Sequence, residues 1–422
     1  MWYCRISLFY FIFLFISCTS ESSFLGESLP EDIEENQTLN INESHNKWTY
    51  ENMFSHYYWN EEMPDSTSID FSMDPQSFFD KLLSKQDRFS WCETNMNYKG
   101  DDIGFEYQTY ELHGSLVNRV LYVSSNEFRE KGLKRGHYFI FKGNSIEIGH
   151  IQQKTFKSTQ VIDINTRSRN LAPTISLDTI YSIKGKRIGY FVYDQFNSTT
   201  DVSQIAIRFK NRVIDELILD LRYNPGGYVH TSNYLASILA PIKSLGKLYQ
   251  VQRFNKIQTK IKQENGGSGV DSVFLDKGFI ASQRNLDLKR LVVLTTKNTA
   301  SASEALIIGL RPYMDVVTIG TTSCGKDVGS YTIADNRYKY QLQPITFRYY
   351  NALNDSTPIT GIKSDIEVAD DLNHERGDVN EALLKTAIDY LTGNIAENET
   401  RSVQSSNEKE YGKSSIEIRN NL

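Results

Sequence analysis

Residues Arg290–Lys326 read RLVVLTTKNTASASEALIIGLRPYMDVVTIGTTSCGK, and this stretch decides the fold. Arg290–Thr295 is a short apolar run of strand length, and Val316–Gly320 is a second. Ser303–Tyr313 lies between them, opens on Ser and Glu, and is long enough for a helix. Working outward, Ile188–Tyr193 reads as a strand, Asp201–Val213 as a helix, Glu216–Leu221 as a buried strand and Val229–Ala240 as a helix. Such alternation predicts an α/β core, a parallel or mixed sheet covered by helices.

Two residues of this stretch carry chemistry. Ser301 stands where the first strand gives way to the helix, and Lys326 stands just after the second strand. A serine hydroxyl is a poor nucleophile until a base takes its proton. A lysine serves as that base only if desolvation lowers its pKa toward neutrality. Acyl transfer also needs two donors for a developing oxyanion. The segment Asp220-Leu221-Arg222-Tyr223-Asn224-Pro225-Gly226-Gly227 supplies candidates, because glycines after a strand let N–H groups turn toward a ligand. The N–H of Gly226 or Gly227, with that of Ala302, forms the expected oxyanion hole. Ser303, beside Glu304, fits a helix-start role better than a nucleophilic one. His230 is scattered from any partner and reads as structural. No metal-ligand spacing is present, and this chemistry needs no cofactor.

The rest of the 422 residues frames that core. The formal net charge of −6 gives no basis for a nucleic-acid partner. An apolar run from Leu8 to Ile16 precedes Ser17-Cys18, which has the length of a signal peptide rather than a spanning helix. This segment resembles a bacterial lipobox, which implies removal of residues 1–17 and lipidation of Cys18. Residues 18–45 read as a disordered tether. Residues 46–98 hold Trp48, Tyr50, Phe54, Tyr57, Tyr58 and Trp59, then Phe78, Phe79, Leu82 and Leu83 at helical spacing, and read as a small helical domain whose aromatics are core. Short strands dominate 99–160. Residues 155–180 read as a connection, 244–276 as an insertion or lid, and 393–422 as a disordered tail. Cys92 and Cys324 are the cysteines left after Cys18, too few for a disulfide framework.

The motifs then point to a family. DLRYNPGG, TASASEALIIGL and IGTTSCGK resemble three signature segments of the carboxyl-terminal processing, or tail-specific, serine peptidases. The resemblance implies Ser301 as nucleophile and Lys326 as base, with the family's spacing of 25 residues between them. Gly361-Ile-Lys-Ser-Asp365-Ile is similar to a further signature, with Ser364 in place of Pro. The order of segments over 48–392 is the family's, and the resemblance implies a crotonase-like core across 161–392. Phe128-Arg-Glu-Lys-Gly132-Leu-Lys-Arg-Gly136 resembles a PDZ domain segment. A PDZ domain takes a peptide C-terminus as an added strand, and its carboxylate loop maps onto Ile103, Gly104 and Phe105. Two positions depart from the family. Ser330 stands where a lysine-orienting Gln is common, and Asp327 stands where Gly is usual; Asp327 is expected to face away from the amine. The resemblance implies a lipid-anchored endopeptidase of the bacterial cell envelope acting on polypeptide substrates. The alternative is an impaired relative that binds peptides through its PDZ-like domain.

Overall fold

The structure, a computed structural model, describes residues 31–93, 103–112, 114–164, 174–335, 340–395, 409–410 and 414. The expected signal peptide and Cys18 lie outside the described residues. Among those described, no helix is long and apolar enough to cross a membrane.

The core is a six-stranded sheet. Its strands run in the order Ile366–Glu367, Asp315–Gly320, Arg290–Thr295, Glu216–Asp220, Lys186–Tyr193 and Ile175–Ile183. All neighbours are parallel except the last pair. Successive side chains of a strand face opposite sides. Leu217, Leu219, Leu291 and Val293 therefore pack under helices Thr199–Arg212, Val229–Leu239 and Ala302–Leu310. Ile218, Val292 and Leu294 pack under helix Ala382–Leu391 on the other face. A sheet buried on both faces explains why these strands read as unbroken apolar runs. The expected α/β core is the observed one.

The surroundings correct four expectations. Helix Glu31–His56 begins inside the stretch read as a tether. It is held because Met53 and Tyr57 are wholly buried and Asn46 donates to the carbonyls of Phe71 and Met73. The N-terminal segment shares one core with strands of the peptidase region: Met53, Tyr57, Phe78, Phe79 and Leu82 pack with Val328, Tyr340, Leu342 and Ile345. Strand Trp91–Glu93 pairs with Tyr340–Gln343, so the small N-terminal helical domain is joined to the peptidase region by a strand pair as well as by this shared core. The stretch 155–180 holds two strands, Thr155–Asp163 and Ile175–Ile183. The segment expected as a lid is strand Leu248–Phe254, helix Lys256–Glu264 and strand Val270–Phe274, built into a four-stranded sheet with Ile345–Tyr350 and Val328–Ser330. Its Gly-rich 266–269 is the turn between that helix and the last strand.

The region expected to be PDZ-like is an antiparallel sheet in the order Phe105–Leu112, Ser115–Val123, Tyr138–Lys142, Ser145–Gln152 and Thr155–Asp163. Helix Asn126–Glu130 closes its core through Phe128, which meets Phe105 edge-on. Ile103 and Phe105 both pack into that core. Gly104, at φ 84°, makes the turn and accepts from the N–H groups of Ser124 and Ser125. The final correction concerns the tail. Strand Lys409–Glu410 pairs antiparallel with Tyr110–Glu111 on the edge of this sheet, and buried Ser414 donates to Asn298 at 2.8 Å.

A buried ion network joins the PDZ-like sheet to the core. Arg222 is fully buried against Asp220, Glu381 and Asp370 at 2.9–3.0 Å. Arg135 of the PDZ-like region reaches Asp370 at 2.7 Å and Tyr223 at 2.5 Å. Burial pushes the Asp370 carboxyl up, but the two guanidinium groups outweigh it and hold the pKa at about 2. Removing one partner of such a cluster leaves uncompensated buried charge. Arg222→Leu should therefore cost about 3–5 kcal/mol, read as a lowered urea midpoint.

Candidate active site

Strand Glu216–Asp220 ends in a chain reversal organised by Asn224. Its side-chain amide donates to the Tyr193 carbonyl at 2.8 Å, and its Oδ1 accepts the Gly226 N–H at 2.8 Å. Its own carbonyl accepts from the Ala300 N–H at 3.1 Å and from the Ser303 hydroxyl at 3.0 Å. One asparagine thus fixes the glycine turn against the serine loop. The Thr299 hydroxyl adds a bond to the Leu221 carbonyl at 2.8 Å.

The two glycines are required by space. A Cβ on Gly226 would come within 2.8 Å of the Ser301 Cβ, and one on Gly227 within 2.5 Å of the Phe196 carbonyl oxygen. Both sit at positive φ, where side chains are disfavoured. The expected oxyanion hole narrows here. The Gly226 N–H is engaged by Asn224, so Gly226 is corrected to a turn role. The N–H groups of Gly227 and Ala302 have no protein acceptor among the described residues.

Ser301 caps helix Ala302–Leu310 with φ 57° and ψ −115°. A non-glycine residue in that region costs about 1–3 kcal/mol and persists only where its surroundings impose it. Those surroundings centre on Glu304, which is completely buried. Its Oε2 accepts the N–H groups of Ser301 at 3.0 Å and Lys326 at 2.8 Å. Its Oε1 accepts the Gly325 N–H at 2.7 Å and the Ser323 hydroxyl at 2.5 Å. Burial raises the Glu304 pKa, and these four donors oppose the rise. The Tyr349 hydroxyl spans the same gap, donating to the carbonyls of Lys326 at 2.8 Å and Ser301 at 3.3 Å. Ser301 and Lys326 are therefore brought together by backbone bonds to shared side chains. Among the described residues no hydrogen bond joins the Ser301 Oγ to the Lys326 Nζ.

The lysine has an enclosed ammonium. Desolvation lowers its pKa from the ordinary 10.5, with smaller opposing effects from Cys324, Asp87 and Glu304. Nζ lies 5.0 Å from the centre of the Phe89 ring. The neighbouring Arg88 donates to the Gly325 carbonyl at 2.6 Å and the Ile359 carbonyl at 3.2 Å. Asp327 faces away from the amine as expected, paired with Arg348 at 2.8 Å. Ser330 does not orient the lysine: its hydroxyl accepts from Gln343 Nε2 at 3.1 Å. This is a second correction, since the bulge at Gly329–Ser330 shifts the register of that short strand. Ser303 is completely buried and bonded to the Asn224 carbonyl, which removes it as a rival nucleophile. His230 stacks on Tyr228. Cys92 and Cys324 are free thiols, and burial pushes Cys92 up to about 12.

A small pocket opens beside Ser301, walled by Val229, Ala305, Val328 and Phe347 and floored by Gly329. Glycine is needed there because the Phe347 ring occupies the place of its side chain, 2.1 Å from a Cβ. Sequence reasoning missed Arg88, Phe89 and Tyr349. Their contacts join segments more than 20 residues apart, and no local pattern marks them.

Comparisons with known proteins give the family. A model described as peptidase family S41 matches residues 187–368, and one described as the peptidase S41 N-terminal domain matches 44–91. A carboxyl-terminal-processing protease of Synechocystis is 29% identical over 144 residues, covering 34% of this chain and 29% of that protein. A carboxy-terminal processing protease of Bacillus subtilis is 25% identical over 158 residues, covering 36% and 29%. The chain thus matches less than a third of the length of these curated relatives. A solved structure from Bacteroides fragilis assigned to the S41 proteases superposes with a TM-score of 0.71 at 24% identity, covering 83% of this chain and 98% of that one. With its two S41 regions in order, its strand–serine–helix unit and its enclosed lysine, the chain belongs to the S41, carboxyl-terminal processing, peptidase family.

Proposed function

We propose that this protein is a serine endopeptidase working through Ser301 and Lys326. The observation that carries the reading is the buried Glu304 carboxylate, which accepts the N–H groups of both residues. In the proposed cycle neutral Lys326 takes the Ser301 proton as Oγ attacks the scissile carbonyl carbon. The N–H groups of Gly227 and Ala302 receive the oxyanion. The ammonium then protonates the leaving amine as the C–N bond breaks. A water, deprotonated by the same amine, attacks the acyl-enzyme, and Ser301 recovers its proton. The enclosed pocket favours a small side chain on the acyl side of the cut. Substrates are taken to be polypeptides held by their C-terminal region on the PDZ-like sheet near Gly104, with Cys18 carrying a lipid anchor in the cell envelope.

The second reading, a peptide-binding protein with an impaired site, draws on one observation: the lysine ammonium lies against Phe89 rather than bonded to Ser301. Catalytic bonds are commonly long before substrate binds, so cleavage decides between the two. Soluble protein from residue 19 onward should degrade an unfolded protein such as casein. Ser301→Ala and Lys326→Ala should each lower kcat by about 10³-fold or more, whereas Ser303→Ala should keep activity. Retained peptide binding without any cleavage by the unaltered protein would favour the second reading.

The base works only when neutral, so kcat/KM should rise with pH. Because desolvation lowers the Lys326 pKa, the rise should be centred below 10.5. Over that window the unfolded chain binds the extra proton, so this group's contribution to stability also rises with pH. A profile centred at or above 10.5 would exclude Lys326 as the base.

Glu304→Gln should separate positioning from folding. It places an amide NH₂ against two of the four donors and leaves them buried without acceptors. A loss of about 3 kcal/mol in stability is expected, with kcat falling more than KM rises.

A further inference from the structure

Apart from the Ser301 hydroxyl and the N–H groups of Gly227 and Ala302, which the proposed chemistry uses, the pocket beside Ser301 is lined by the polar side chains of Ser232, Tyr249, Gln250 and Tyr349. The Ser232 hydroxyl meets the Ala302 carbonyl at 2.9 Å and the Tyr249 hydroxyl at 2.8 Å. The Tyr349 hydroxyl is engaged with the Lys326 carbonyl. Gln250 is different. It also lines the pocket and is only 3% exposed.

Its place follows from the register of the four-stranded sheet. Gln252 pairs with Tyr349 and Phe254 with Phe347, so Gln250 and Gln252 share the face that carries Tyr349 and Phe347. The Tyr331 hydroxyl donates to Gln252 Oε1 at 3.1 Å, and Gln252 Nε2 donates to Gln250 Oε1 at 3.3 Å. This chain of donors occupies the oxygen of Gln250. Its Nε2 hydrogens have no acceptor among the described residues. The nitrogen keeps some accessible surface, so it can take a partner that is not part of the protein, water or a substrate group.

Resting on the reading of Ser301 as nucleophile, we propose that Gln250 is a specificity-determining residue of this pocket. Its amide selects an acyl-side residue with a short hydroxyl, serine or threonine, over the matching alanine or valine. The pocket is small, which suits a short side chain. A hydroxyl brings an acceptor to Gln250 Nε2, while a methyl displaces water from that donor without replacing its bond. The surrounding Val229, Ala305, Val328 and Phe347 offer no competing partner.

The test uses the soluble full chain and amidated peptides in two pairs, Ser against Ala and Thr against Val on the acyl side of one cleavage point. The unaltered protein should favour the hydroxyl member of each pair by about 3- to 10-fold in kcat/KM. Gln250→Met should bring both ratios to unity or below. Gln250→Glu, which keeps the shape and removes the donor, should do the same and serves if the methionine variant folds poorly. Ratios near unity in the unaltered protein, ratios unchanged in the variants, or an equal fall for all four peptides would overturn the proposal. Cleavage that persists in Ser301→Ala would instead overturn the reading of the nucleophile, and the specificity assignment with it.

Discussion

One carboxylate holds the site together. Glu304 lies inside the protein with both oxygens committed to donors from two separate segments, the serine loop and the glycine–lysine loop. A buried charge is tolerated only when fully bonded, and four donors at 2.5–3.0 Å meet that demand. The same bonds impose the unusual backbone of Ser301. Strain at Ser301 and desolvation of the carboxylate are therefore two sides of one constraint, and neither loop can shift without leaving charge or N–H groups unpaired.

A second layer acts on the lysine. The segment Asp87–Ser90 lies over the amine: Arg88 bonds to the loop that carries the lysine, and Phe89 covers the ammonium. Asp87 accepts from the N–H groups of Phe89 and Ser90 and from the Tyr57 hydroxyl. The helical N-terminal region thus reaches the site through a short turn. Its large aromatic content serves to anchor that turn onto strands Val328–Ser330 and Ile345–Tyr350. This explains why the region shares a core with the sheet rather than forming one of its own.

The α/β core was legible in the sequence because a doubly covered sheet needs continuous apolar strands, and the strands around Ser301 have no other reading. Ser301 and Lys326 stood out in the sequence because acyl transfer asks for a nucleophile and a base of those residue types. The choice between Gly226 and Gly227 was not, since it turns on a side-chain bond from Asn224. Ser330 misled because a bulge sets its direction. Residues 244–276 misled because a polar, glycine-containing composition also suits a helix and two strands that rest on a neighbouring sheet. Residues 31–45 misled for a related reason: the polar first half of this long helix carries no apolar stripe in its sequence.

The short strand Lys409–Glu410 bears on how the PDZ-like sheet meets other molecules. A sheet edge presents one row of backbone donors and acceptors, and it accommodates one partner at a time. Here that row is occupied at Tyr110 and Glu111 by the protein's own terminus. Any extended peptide adding to this edge competes with a tethered rival whose effective concentration is set by chain length rather than by mixing. Its apparent affinity is the intrinsic value scaled by the fraction of molecules with the edge vacated. Occupancy of this edge by residues 409–410 therefore sets the threshold that any added strand would have to exceed.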